Sequence, residues 1–163
     1  MSNLWSPWRM EYVNNRSDSD ECPFCLALKN IKDDESLIIY RGENSIVMLN
    51  RYPYTSGHLL ILPNLHLEKL TDLDQKTRAE MMELIQLSCS VLEEIYKPEG
   101  FNVGLNLGAA AGAGLPKHLH WHIVPRWHGD TNYMTAVAGV RVIPEALENT
   151  LQKIKSRWHD FLP

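Results

Sequence analysis

The chain has 163 residues, of which 44% are hydrophobic and 22% charged, ordinary values for one globular domain and unlike a disordered, collagenous or coiled-coil chain. No apolar run approaches the roughly 20 residues of a membrane span, and Met1 to Arg9 lacks the apolar core of a signal peptide, so a cytoplasmic protein without a membrane partner is expected. The 16 Lys and Arg against 20 Asp and Glu, net charge -4, exclude a general nucleic-acid coat but allow a small anionic ligand, because a pocket's local field can oppose the net charge.

In chain order, residues 1–21 read as an aromatic N-terminal arm and linker, and residues 22–163 as the folded domain with a C-terminal helical extension. Trp5, Trp8 and Tyr12 of the arm call for a docking surface on the body or on a second subunit. The polar stretch 14–21 supplies the linker. Short strands are expected at Leu37–Tyr40, Ser45–Leu49 and His58–Leu62, bounded by turn-rich segments. A helix follows over Asp74–Tyr96, with Met81, Leu84, Ile85, Ser88, Leu92 and Ile95 on one face and Pro98 and Gly100 as its stop. Cys89 lies within it as a packed free thiol. Further strands are expected at Phe101–Leu107 and His118–Val124, and Pro144 opens a last helix with Leu147, Leu151, Ile154, Trp158 and Phe161 along one face. Strands joined by short turns with few crossover helices define an α+β fold, an antiparallel sheet of about five strands packed against helices on one face.

The segment His118-Leu119-His120-Trp121-His122-Ile123 carries the chemistry. Alternate side chains of a strand point to opposite faces, so Leu119, Trp121 and Ile123 share a face that can be buried. His118, His120 and His122 share the other, about 6.6 Å apart along the strand. Before them runs Gly108-Ala109-Ala110-Ala111-Gly112-Ala113-Gly114, a loop almost without side chains, whose N–H groups at Gly112, Ala113 and Gly114 can approach and cradle an anion. Imidazole is a competent nucleophile near neutral pH. Together the two features point to phosphorus chemistry through a covalent histidine intermediate. His58, on an expected strand, reads as a core or supporting group rather than a catalyst.

Three cysteines cannot all pair within one chain. Cys22-Pro23-Phe24-Cys25 without a secretion signal reads as metal or redox before disulfide. A tetrahedral metal, a redox pair and a pair of reduced thiols all remain open from the spacing alone.

These segments resemble the histidine-triad (HIT) nucleotide hydrolases and transferases. The resemblance runs from about residue 20 to residue 130 and rests on Asn106-x-Gly108, the Gly/Ala loop and His118-x-His120-x-His122. Asn50-Arg51-Tyr52-Pro53, Gly57-His58-Leu59-Leu60-Ile61-Leu62-Pro63 and His66 add to it. The aromatic arm, the Cys22/Cys25 pair and Pro125-Arg126-Trp127 are most similar to the bacterial branch that includes the diadenosine tetraphosphate phosphorylases. The resemblance implies that His120 attacks the α-phosphorus and carries the nucleotidyl group. It also implies that His122, aided by Asn106, contacts the phosphoryl oxygens and the leaving group, and that backbone at Gly112, Ala113 and Gly114 holds phosphate. Asn50 stands at the ribose-binding position, where the hydrolase branch usually has an acidic residue. Cys22, Cys25, His66 and His118 match the ligands of a structural zinc in metal-bearing members, and a homodimer is the usual assembly.

The expected activity is therefore nucleotidyl transfer from a dinucleoside polyphosphate to phosphate. Alternatives are a hydrolase, a phosphoramidase acting on AMP joined to an amine, a nucleotide-binding module without turnover, or a zinc-stabilised adaptor working through its aromatic arm.

Overall fold

A computed structural model describes residues 21–130 and 143–162. The aromatic arm and most of its linker, and residues 131–134 of a segment that also resembles the phosphorylase-like branch, lie outside the described residues. Five antiparallel strands form one sheet: β1 (Ile38–Arg41), β2 (Ser45–Leu49), β3 (Leu59–Pro63), β4 (Gly100–Leu105) and β5 (Trp121–Arg126), in spatial order β1-β2-β3-β5-β4. Hairpin connection keeps β1, β2 and β3 adjacent, and β5 enters between β3 and β4. The expected α+β architecture is the observed one.

Helix α3 spans Gln75–Tyr96, the numbering leaving α1 and α2 for two short helices, Pro23–Lys29 and Asp33–Ser36. Asp74 caps α3 by accepting the Thr77 N–H at 2.8 Å, which satisfies one of the orphan donors of its first turn. The turns of Met81, Leu84, Ile85, Ser88, Val91 and Leu92 are buried, the expected face extended by Val91. Helix α4, Leu147–Trp158, buries Leu151, Ile154 and Trp158, and Trp158 stacks on Tyr40 of β1 with centroids 5.8 Å apart.

Period-two alternation divides the sheet into two cores. Val47, Leu49, Leu59, Ile61, Leu119 and Ile123 face α3 and α4. Ile38, Ile46, Met48, Leu60 and Leu62 pack instead around Phe24 of α1. The long helices thus share one face as expected, but α1 lies on the other. Seven residues with no side-chain N-cap bond make a marginal helix by themselves; tertiary contact through Phe24, only 7% exposed, holds it.

Two strand limits differ from expectation. The histidine strand begins at Trp121, so His118 and His120 precede β5. Pairing of β3 with β5 runs from Leu59–Ile123 to Ile61–Trp121 and stops before Pro63, which has no N–H to donate. There the Leu119 N–H turns to the Leu67 carbonyl at 2.7 Å instead. Likewise β4 ends at Leu105, opposite Trp121, which brings Asn106 level with His120 just beyond the ladder.

Candidate functional site

The site is built on the face that carries α1. Its spine is a row of rings. His66 and His118 meet edge to face at 5.1 Å between centroids, and Phe24 contacts both His118 (5.4 Å) and His120 (5.0 Å). His120 and His122 lie 5.0 Å apart, and His122 continues to His58 at 5.2 Å and to Tyr54 at 6.0 Å. The three triad histidines therefore share a face even though two of them precede the strand, and Leu119 and Ile123 are buried on the opposite side.

Backbone partners fix the proton positions along this row, because a carbonyl only accepts and an N–H only donates. His118 Nε2–H donates to the Pro63 carbonyl at 3.0 Å, leaving Nδ1 as its lone-pair nitrogen. His120 Nδ1–H donates to the His118 carbonyl at 2.8 Å, so its lone pair is on Nε2. Burial pushes both imidazoles below the ordinary histidine pKa, because a charged ring loses more solvation there than a neutral one. His120 is thereby held neutral with a nucleophilic Nε2. His58 is fully buried and its Nε2 lies 2.9 Å from His122 Nδ1. Its burial agrees with the core position its strand implied.

Around His118, the ligand atoms of Cys22, Cys25, His66 and His118 all lie within 4.8 Å of one another. His118 Nδ1 is 3.5 Å from Cys22 Sγ and 3.7 Å from Cys25 Sγ, and His66 Nδ1 is 3.1 Å from Cys25 Sγ. Sulfur at about 2.3 Å and nitrogen at about 2.05 Å on a tetrahedral ion stand about 3.5 Å apart. The four residues fit a metal on both donor type and spacing. Without a cation, burial and then neighbouring Cys22 push the Cys25 thiol up; a bound cation reverses that balance, since it favours the thiolate.

The glycine loop takes a definite shape. Ala109–Ala111 form a single 3-10 turn closed by Gly112 at φ +86°, a left-handed conformation in which a side chain is strained. The Gly112 N–H donates to the Ala109 carbonyl at 2.9 Å and the Ala113 N–H to the Gly108 carbonyl at 3.4 Å. An anion cradled here shares or displaces those bonds. Gly57, at φ +76° with Leu92 2.9 Å from where a Cβ would sit, lets the chain turn tightly into His58.

Asn50 follows β2 and its N–H donates to the His58 carbonyl at 2.9 Å. Its amide reaches the His58 ring, Nδ2 to Nδ1 at 3.3 Å, a contact the sequence did not foretell. Beyond Tyr54 opens a cavity of about 590 Å³ with Tyr54, Ser56, Tyr96 and Trp127 in its lining. Arg126 braces its rim through a two-pronged pair with Asp130, at 2.5 and 2.9 Å, and a bond to Asn102.

An antiparallel sheet with an alternating histidine row on one face is the architecture of a histidine-triad protein. The chain belongs to the HIT family: the HIT domain model matches residues 32–129. It is 39% identical over 166 residues to the AP-4-A phosphorylase of Mycobacterium tuberculosis, covering 97% of this chain and 85% of that protein. It is 30% identical to the bis(5'-nucleosyl)-tetraphosphatase [asymmetrical] of Schizosaccharomyces pombe over 58% of this chain and 52% of that one. Among solved structures, a Zn-bound histidine triad family protein from Mycobacterium smegmatis aligns with a TM-score of 0.67 at 28% identity, covering 86% of this chain and 94% of that one. A hypothetical histidine triad nucleotide-binding protein from Sulfolobus tokodaii gives 0.68 at 26% identity, with 85% and 93% covered.

Proposed function

We propose that this HIT enzyme acts on nucleotide phosphoanhydrides, transferring a nucleoside monophosphate from a dinucleoside polyphosphate to inorganic phosphate through a covalent nucleotidyl group on His120. The observation that carries the reading is the 2.8 Å bond from His120 Nδ1–H to the His118 carbonyl. It leaves Nε2 of a buried, neutral ring as the attacking atom.

Nε2 of His120 attacks the α-phosphorus; an N–P bond forms and the P–O bond to the bridging oxygen breaks. The electron pair leaves on the terminal phosphate of the departing nucleotide. The positive charge that develops on His120 is stabilised by the His118 carbonyl through Nδ1–H. Phosphate then attacks the same phosphorus and releases a nucleoside diphosphate and the free ring. His122 and Asn106 contact the phosphoryl oxygens and the leaving group, and the backbone at Gly112, Ala113 and Gly114 holds phosphate. Asn50 lies on the ribose side.

The long match to an AP-4-A phosphorylase supports both substrate and acceptor.

Cys22, Cys25, His66 and His118 hold a zinc ion on this reading. Four protein ligands close its shell, so its contribution is structural and not activation of water. His118 then fixes, through its own backbone carbonyl, the ring that attacks. Edge strand β4 exposes Val103, consistent with a homodimer.

The test is incubation with diadenosine tetraphosphate with and without phosphate, with quenched protein read by mass spectrometry. ADP plus ATP and a nucleotidyl adduct on His120 are expected. AMP plus ATP in the presence of phosphate would reassign the enzyme as a hydrolase, and absence of adduct and product would leave a binding module.

A further inference from the structure

Asn50 does more at this site than face a ribose. Its Oδ1 accepts the Tyr52 N–H at 3.0 Å, which fixes the amide so that Nδ2 meets His58 Nδ1 at 3.3 Å. The same Nδ1 accepts the Tyr54 N–H at 3.1 Å. Two donors converge on one ring nitrogen, one of them a backbone group that can only donate. The His58 lone pair is therefore on Nδ1 and its proton on Nε2.

That proton points to His122 Nδ1 at 2.9 Å, so the lone pair of His122 is on Nδ1 and its own proton on Nε2. A second proton on His122 Nδ1 would set two N–H groups against each other across that distance. His58 cannot yield by moving its proton to Nδ1, because both donors are already there, and the ring is fully buried. The row Asn50–His58–His122 thus holds His122 as a neutral N–H donor.

We infer that Asn50 is a positioning residue that, together with the Tyr54 N–H and acting through His58, holds His122 in its neutral Nε2–H form and so restricts the site to leaving groups that depart as anions. This rests on the nucleotidyl transfer proposed above. A neutral imidazole N–H hydrogen-bonds a departing phosphate oxygen, which keeps the electron pair of the broken P–O bond and needs no proton. When a P–N bond breaks, the pair stays on nitrogen, which must take up a proton to leave as an amine. His122 in this form has none to give. General-acid assistance is worth about 10²–10⁴-fold, so phosphoanhydrides should outrun AMP joined to an amine by a factor of that order.

The experiment uses the full chain. Long-range ¹H–¹⁵N correlation spectra of histidine-labelled protein should find His58 and His122 both neutral and protonated on Nε2; a proton on His58 Nδ1 would overturn the inference without any variant. In parallel, kcat/KM is measured for diadenosine tetraphosphate and for adenosine 5'-phosphoramidate. Wild type should prefer the anhydride by about 10²-fold or more. Asn50→Asp, which replaces one of the two donors at His58 Nδ1 with a carboxylate acceptor and leaves the Tyr54 N–H in place, should narrow that preference at least about tenfold. Comparable turnover of both substrates by wild type, or an unchanged ratio in a folded Asn50→Asp protein, overturns the inference alone. Turnover of neither substrate removes the enzymatic reading itself.

Discussion

The backbone carbonyl of His118 accepts the Nδ1 proton of His120 at 2.8 Å, while the ring of the same His118 faces Cys22 and Cys25. One residue thereby joins the Cys/His cluster to the His120 imidazole, by ring on one side and main chain on the other. The orientation of the His120 ring and the integrity of the cluster are linked through that residue.

His120→Ala should abolish turnover, by at least about 10³-fold in kcat, because removing a covalent nucleophile removes the pathway and not one contact. Nucleotide binding should survive. Equilibrium binding of a non-reacting nucleotide analogue alongside product assays separates the two, and retention of substantial turnover would assign the chemistry elsewhere.

Metal removal by a chelator, or Cys22→Ala, should lower the melting temperature by about 5 °C or more, a shift that corresponds to a few kcal/mol in a domain of this size. Elemental analysis should find one zinc per chain before treatment. Thiol labelling gives an independent readout: Cys22 and Cys25 should label faster once chelation removes the ion from their sulfurs, whereas Cys89, within α3 and outside the cluster, should label at the same rate in both states.

Phe24→Ala should cost about 3–5 kcal/mol, the usual range for emptying a buried aromatic site, and should slow turnover because the ring touches both His118 and His120. Phe24→Leu keeps most of the volume and none of the aromatic contacts. Its stability, followed by urea unfolding, should be nearer wild type than that of the alanine variant, while kcat still falls.

A control comes from the far end of β2. The Glu80 carboxylate accepts the N–H groups of Asn44 and Ser45 and the Asn44 amide, tying α3 to the β1–β2 turn. Glu80→Ala should destabilise by about 1–3 kcal/mol through the donors it strands. That turn stands about 16 Å along β2 from Asn50, so kcat should be unaffected.

Much of this was legible in the chain because it depends on local periodicity. Alternation put Leu119 and Ile123 in one core and the histidines opposite, and three-four spacing marked α3 to within a residue of its start. What escaped depends on partners distant in sequence. The start of β5 at Trp121 is decided by Pro63 on a neighbouring strand. Helix α1 exists because Phe24 finds a pocket on the sheet, which no seven-residue propensity reveals. The Cys/His cluster is intermediate: its cysteines announce themselves by spacing, whereas His66 and His118 could be matched to them only by family resemblance. The link from Asn50 to His122 was not visible at all, since it needs the β2–β3 and β3–β5 registers together.

The donors of the cluster come from positions 22, 25, 66 and 118, so the Cys22–His118 contact closes a span of 96 residues. During synthesis the two thiols leave the ribosome long before their last partner exists. On the zinc reading, an ion captured early by the N-terminal pair would wait on two and then three donors until nearly three-quarters of the polypeptide has been made. Completion of its shell and arrival of His120, two residues further on, would then fall within the same moment of biogenesis, so an unmetallated nascent chain and an untethered His120 ring would be one and the same hazard.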